Sequence, residues 1–305
     1  MRKILVPIAC ACMLASTFPS CKKDYQSGEG TYSLASVFSS LQVQSKITTI
    51  NASTGGSITG NSGSRYIVPA NAFKDASGNV VTGNVQVETK DYVKRSDMIF
   101  SGVMPITATE PLMSGGETYV NATQNGQQLS LDPTKTYQVN MPQTKTPPSG
   151  LRVFTGVQDP TTNTVSWSFD STNSMASIVT NGDTVSMITN NMHFCNADAF
   201  MVSPNWQTFT VTVSASGATI SANIGFLLYA VYDNYNGVWP MGNITNNVAT
   251  EDHVPNIPVH FLALTVINGN LYAGILGATP STGSNYNVVM TKTTPAELKA
   301  NIDAL

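Results

Sequence analysis

The chain has 305 residues, a formal net charge of −3 and only 11% charged residues, with a sequence pI near 5.5. That length supports one large or two ordinary domains with cores of their own. So few cations leave no basic surface to neutralise a phosphate backbone, which excludes nucleic acid as a partner.

Arg2 and Lys3 precede an apolar run from Ile4 to Ala15, and Ser16, Thr17, Pro19 and Ser20 lead into Cys21. A bilayer-spanning helix takes about 20 residues, so the shorter run is expected to be a cleaved secretory signal over residues 1–20. A cysteine ending such a signal resembles the lipobox of bacterial lipoproteins. Ser20 matches the small residue before that cysteine, and Phe18 stands where leucine is usual. The resemblance implies acylation of Cys21, and two or more acyl chains anchor a protein stably. The expected mature chain is held on the outer membrane by its lipid, with Cys21 as the lipidation site. Ordinary cleavage after Ser20 is the alternative, and Lys22 and Lys23 leave the membrane face open. Cys10 and Cys12 leave with the signal, so Cys195 is the one thiol left and no disulfide is expected within the mature chain. Residues 21–46 read as a tether, most polar up to Gly30.

From Ile47 onward, short apolar alternations recur between turn signals about every ten residues, as in sandwiches and barrels. Tyr66-Ile67-Val68 stops at Pro69, and Val85-Gln86-Val87-Glu88 alternates like a half-buried strand. Asp75 to Asn79 reads as a turn. Asn125-Gly126, between Tyr119–Ala122 and Leu129–Leu131, is the strongest hairpin signal in the chain. A strand at Tyr137–Met141 ends at Pro142, and the stiff stretch 143–150, with Pro147-Pro148, reads as a linker between a β-sandwich domain over 47–142 and a second β-rich domain over 151–305.

In the second part, Leu151–Phe154, Val165–Phe169 and the alternating Phe209, Val211 and Val213 read as strands. Ile224–Tyr232 is apolar nearly throughout, which suits a central strand buried on both faces. Pro258–Ile267 and Leu271–Leu276 face each other across Asn268-Gly269-Asn270. Thr294-Pro295-Ala296-Glu297 combines an N-cap, a proline at the first helical position and a capping-box glutamate, which predicts a closing helix with Leu298, Ile302 and Leu305 on one face. The expected fold is mainly β, with two β-sandwich-like domains and a short C-terminal helix. Alternation after a secretory signal also suits a transmembrane β-barrel, but the lipobox and the closing helix argue against one.

Residues Gly56–Ile58 and Tyr66–Val85, continuing through Ser96–Ile99 and Gly115–Gly126, resemble a Bacteroidota lipoprotein family of unknown function. They are also remotely similar to the β-sandwich module of zonula occludens proteins, ankyrins and netrin receptors. Phe194–Phe200 is similar to a second segment of that family, with alanines where it has a cysteine and an arginine. The resemblance implies a fold and no activity.

Candidate chemistry is sparse. His193-Phe194-Cys195 is similar to the His-Phe-Ser self-cleavage sequence of some eukaryotic relatives, where the serine attacks the preceding carbonyl; a buried, inert Cys195 is the plainer expectation. Glu251-Asp252-His253 could contribute metal ligands but lacks paired-histidine or CxxC spacing, so a polar loop is expected and no metal or other cofactor is assigned. Asp233–Gly237 starts like a calcium loop without its distal glutamate, and a hairpin turn suits it better. Asp170-Ser171-Thr172 and Asp183-Thr184-Val185 resemble O-glycosylation acceptors. Trp167, Trp206, Trp239 and Tyr235 lie among Asn and Gly, the material of glycan-binding platforms and equally of cores, and Trp239 and Tyr235 are the candidate glycan-binding residues. The sequence therefore predicts a lipid-anchored, non-enzymatic interaction or scaffolding module with a protein or glycan partner. A glycan-binding lipoprotein and a self-cleaving module are the alternatives.

Overall fold

The alternations become strands in a computed structural model that describes residues 31–201, 205–220, 225–242 and 244–305. The signal over 1–20 and the lipid site Cys21 lie outside the described residues. In chain order, the first region contains α1 (Leu34–Leu41), β1 (Lys46–Asn51), β2 (Gly56–Thr59), β3 (Arg65–Val68), β4 (Phe73–Lys74), β5 (Asn84–Tyr92), α2 (Arg95–Ser101) and β6 (Leu112–Gln124). It continues with β7 (Gln127–Gln128), β8 (Ser130–Leu131), β9 (Tyr137–Pro142), β10 (Arg152–Gln158), β11 (Val165–Phe169), β12 (Ser177–Asn181), β13 (Thr184–Thr189) and β14 (His193–Phe200).

Apart from β4 and β8, which pair with each other, these strands build two facing sheets. One runs β1-β5-β6-β14-β10-β11 with β7 added to β6, and the other runs β12-β13-β9-β3-β2. Val87, Ala122, Cys195 and Ala197 of the first sheet meet Ile58, Tyr66, Val139 and Met187 of the second in one buried core. The Asn125-Gly126 hairpin forms as expected, with both residues at positive φ (50° and 78°), the backbone that a two-residue turn between twisted strands requires.

The expected linker at 143–150 is corrected by the strand pairing. β9, before it, pairs with β13, while β10, after it, pairs with β14, which pairs in turn with β6. The sandwich therefore continues to Phe200, because the partners of β6 and β9 come from beyond the prolines. The tether over 21–46 is corrected as well. Its described part carries α1, whose Ser33 and Ser36 form a reciprocal capping box and whose Val37 is fully buried.

The second region contains β15 (Trp206–Ala215), β16 (Leu227–Tyr232), β17 (Val238–Pro240), β18 (Ile244–Thr245), β19 (Val248–Pro255), β20 (Val259–Ile267), β21 (Asn270–Ala278), β22 (Asn285–Lys292) and α3 (Pro295–Asp303). They form one eight-stranded sheet in the order β17-β16-β20-β21-β22-β15-β19-β18, with β15 and β22 parallel. The sheet is curled into a half-barrel. Phe209, Phe261 and Met290 fill its concave side. Leu262, Leu264 and Tyr229, on the other side, pack against Val37 of α1, Ile99 and Phe100 of α2, and Leu298 and Ile302 of α3. Burial on both faces is why β16 and β20 read as continuous apolar runs. The α3 capping box forms between Thr294 and Glu297. Among the described residues, no helix is long and apolar enough to cross a membrane.

Candidate functional site: an aromatic cleft between the helices and a sheet face

Each strand of a sandwich sheet turns alternate residues away from the core, and in β5, β6 and β14 these include Lys90, Tyr92, Tyr119 and Phe194. Helix α2 lies over this outer face and α1 lies beside α2, where Phe38 meets Phe100 edge-on with ring centroids 5.3 Å apart. The Val43 N–H donates to Ser101 Oγ at 3.0 Å, which pins the chain leaving α1 to the end of α2. Helix α2 stops at Gly102 in the left-handed region (φ 68°). Gly102 then offers its carbonyl to the Val165 N–H at 3.0 Å. The Trp167 indole N–H donates to the Met104 carbonyl at 2.9 Å, fastening the following loop to β11.

These contacts leave a cleft of about 730 Å³, a volume typical of ligand sites. Its floor is the buried rings of Tyr92, Phe100, Phe194 and Tyr229. The rim carries Phe38, Lys90, Tyr119, Gln158, Thr162 and Asn163. Lys90 Nζ sits 5.4 Å from the centre of the Tyr119 ring, within cation–π range. The Gln158 side-chain amide donates to the Asn163 carbonyl at 3.2 Å, and the Asp159 carboxylate accepts the Thr161 N–H at 2.7 Å, so the polar rim is held by its own turn.

Burial pushes the phenols of Tyr92, Tyr119 and Tyr229 above their ordinary value, with nearby carboxylates adding to this for Tyr92 and Tyr119. They are neutral hydroxyls at physiological pH, able to donate and accept hydrogen bonds and unsuited to take a proton from a substrate. Among the described residues, the cleft lining includes no carboxylate, imidazole or thiol. The arrangement can stack on a ring, bond to hydroxyls and attract an anion, which is binding chemistry.

The residues expected from sequence lie elsewhere. Trp239, on β17, stacks on His253 with centroids 5.8 Å apart and planes at 26°, and Trp206 lies 6.0 Å from the same imidazole. Tyr235 packs on Tyr232 at 5.4 Å and directs its hydroxyl to Met201 Sδ at 3.8 Å. Both belong to the packing of the concave core. Each has one neighbouring ring against it and is half-buried.

Glu251, Asp252 and His253 do come together, with ligand atoms within 4.8 Å of one another. They sit at a β-bulge against β15, and Glu251 Oε1 accepts the N–H groups of Asp252 and His253 at 2.9 and 2.8 Å. That carboxylate oxygen satisfies the bulge backbone. Asp233–Gly237 connects β16 to β17 as a turn, and Asp233 Oδ1 lies 2.6 Å from His260 Nδ1. Cys195 is fully buried in the sandwich core.

The cleft draws on residues from 34 to 229 and depends on α1 and α2, neither of which is among the elements expected from the sequence. The signal for α1 was present: Leu34, Val37, Phe38 and Leu41 keep helical spacing behind a serine cap. No family model matches this chain, and no curated protein matches it.

Proposed function

We propose that the chain is a lipid-anchored outer-membrane protein, attached through Cys21, that acts as a non-enzymatic interaction module and captures glycan chains in the aromatic cleft. The observation that carries this reading is the cleft lining. Rings form its floor, amides, hydroxyls and one ammonium form its rim, and its tyrosines are held neutral. An aromatic face packs on the apolar face of a sugar ring while amides bond the ring hydroxyls. The glycan reading thus moves from Trp239 and Tyr235 to Tyr119, Phe38 and Lys90. The likeness to Bacteroidota lipoproteins supports the anchor and the compartment.

The test uses the mature chain on a glycan array, with the same oligosaccharides assayed for cleavage. Saturable binding weakened about tenfold or more in Tyr119→Ala, without turnover, is the expected result. Turnover that disappears with Tyr119→Ala would make the cleft an active site. Binding only to proteins would replace the glycan with a protein partner.

A further inference from the structure

A second group of side chains lies on the outer face of the same sheet, where β6 and β14 cross the seam with the curled sheet. Asn196 pairs with Glu117 and Asp198 pairs with Ser114, so two residues on β6 lie opposite one on β14. The bulge is made by Gly115 and Gly116. A Cβ on Gly115 would meet Val185 and the Ala197 carbonyl, and one on Gly116 would meet Met141 and Val93, so both positions face the sandwich core. A bulge that turns two successive residues inward puts the residues flanking it on the opposite face. Ser114, Glu117, Asn196 and Asp198 therefore share the outer face, and all four are buried to within 1%.

The set is rich in acceptors. The Asn196 side-chain amide donates to Asp198 Oδ2 at 2.8 Å. Its own Oδ1, the other Asp198 oxygen and both Glu117 oxygens have no hydrogen-bond partner among the described residues. Asp198 is close enough to push the Glu117 carboxyl up beyond what burial alone does. Two carboxylates and an amide oxygen out of water, with the Asn196 amide donating to one oxygen and Ser114 beside Asp198, leave more acceptors than donors, which costs several kcal/mol. The turn after β16 closes the seam over them, with the Ser114 N–H donating to the Asn236 carbonyl at 2.7 Å and Asn236 Nδ2 donating to the Val93 carbonyl at 3.2 Å.

We propose that Glu117, Asn196 and Asp198 bind a calcium ion in the seam between the sandwich and the curled sheet. The donor set is all hard oxygen, which calcium prefers, whereas thiolate or imidazole would favour zinc. Two carboxylates balance the divalent charge. The Asn196 carbonyl is the independent pointer, since a fully buried amide oxygen beside two carboxylates is an electrostatic mismatch that a cation removes.

The experiment takes the full mature chain, strips it with EDTA, desalts it, and titrates calcium chloride at neutral pH by calorimetry and by thermal melting. The expected result is one high-affinity site per chain and a melting temperature that rises to a plateau with calcium. Glu117→Gln and Asp198→Asn should each weaken affinity about tenfold or more, while Glu251→Gln, in the other acidic group, should leave it unchanged. Native mass spectrometry of the wild type for a bound calcium reads the site even where a variant folds poorly. The proposal is overturned by a wild type that takes up no calcium, meaning that the carboxyl pair shares a proton only. Binding lost in Glu251→Gln and kept in Glu117→Gln would overturn it equally.

Discussion

Trp239 and His253 stack 5.8 Å apart although they belong to β17, one edge of the eight-stranded sheet, and to β19, next to the opposite edge. The sheet curls until its two ends touch, and this pair is where they meet. Trp239→Ala should therefore destabilise the fold by about 2–3 kcal/mol, somewhat below a fully buried tryptophan, and leave glycan capture at the cleft intact. Urea denaturation beside a binding isotherm checks both parts. Lost binding without lost stability would return the glycan site to Trp239.

What could be read from sequence was what the chain specifies locally. Asn125-Gly126 and Asn268-Gly269 form the turns their dihedrals demand, and Thr294 with Glu297 caps a helix whatever lies around it. The stretch 143–150 was legible as a break but not as a break inside a sandwich, because Pro147-Pro148 carries no information about which strands β9 and β10 will join. Alternation assigns a face and leaves the neighbour open. Helix α2 has no side-chain N-cap and is held by its packing, so little in its seven residues announced it. The cleft and the buried acceptor group are products of pairing between distant segments, and no contiguous motif carries them.

Gly116 and Gly126 both have positive φ, at 116° and 78°, but only Gly116 is crowded. A Cβ there would lie 2.8 Å from Met141 Sδ, whereas at Gly126 nothing lies within 4 Å. Gly126→Ala should cost about 1 kcal/mol through the backbone alone. Gly116→Ala adds overpacking and should cost about 1–3 kcal/mol more. Equal midpoints for the two variants in chemical denaturation would show that the bulge yields to a methyl group.

Asp91 holds a loop by accepting three backbone donors. Its Oδ1 takes the Asn61 N–H at 3.0 Å, and its Oδ2 takes those of Ser62 at 2.9 Å and Ser64 at 3.2 Å. The side chain is fully buried, so Asp91→Ala leaves three N–H groups without their acceptor and should cost about 3 kcal/mol. Asp91→Asn should fall between, since one amide oxygen can serve at most part of the set. Hydrogen exchange should quicken at residues 61–64 first. Unchanged exchange there would mean that the loop is held by other contacts.

Cys195 separates the self-cleaving reading from a structural one. The thiol lies in the sandwich core and donates to the Asn191 carbonyl at 3.4 Å. The His193 ring packs 5.9 Å from Tyr119, whereas the polar partners of the thiol are Thr189 and Asn191. The Phe194–Cys195 peptide is an ordinary part of a strand paired on both sides. Burial pushes the thiol up to about 11, against opposing hydrogen bonds from Thr189 and Tyr137. A neutral thiol at physiological pH is a poor nucleophile, so the mature chain should run as one piece, and iodoacetamide at pH 8 should modify Cys195 only after denaturation. In the unfolded chain the same thiol ionises near about 8.5. Its contribution to stability is therefore complete below that pH and is lost as pH rises toward the folded value, because only the unfolded state gains by releasing the proton. Cys195→Ala, compared with wild type between pH 7 and 10, should remove this part of the slope. Two fragments dividing at Phe194–Cys195 in wild type, absent in Cys195→Ala, would establish cleavage in place of packing.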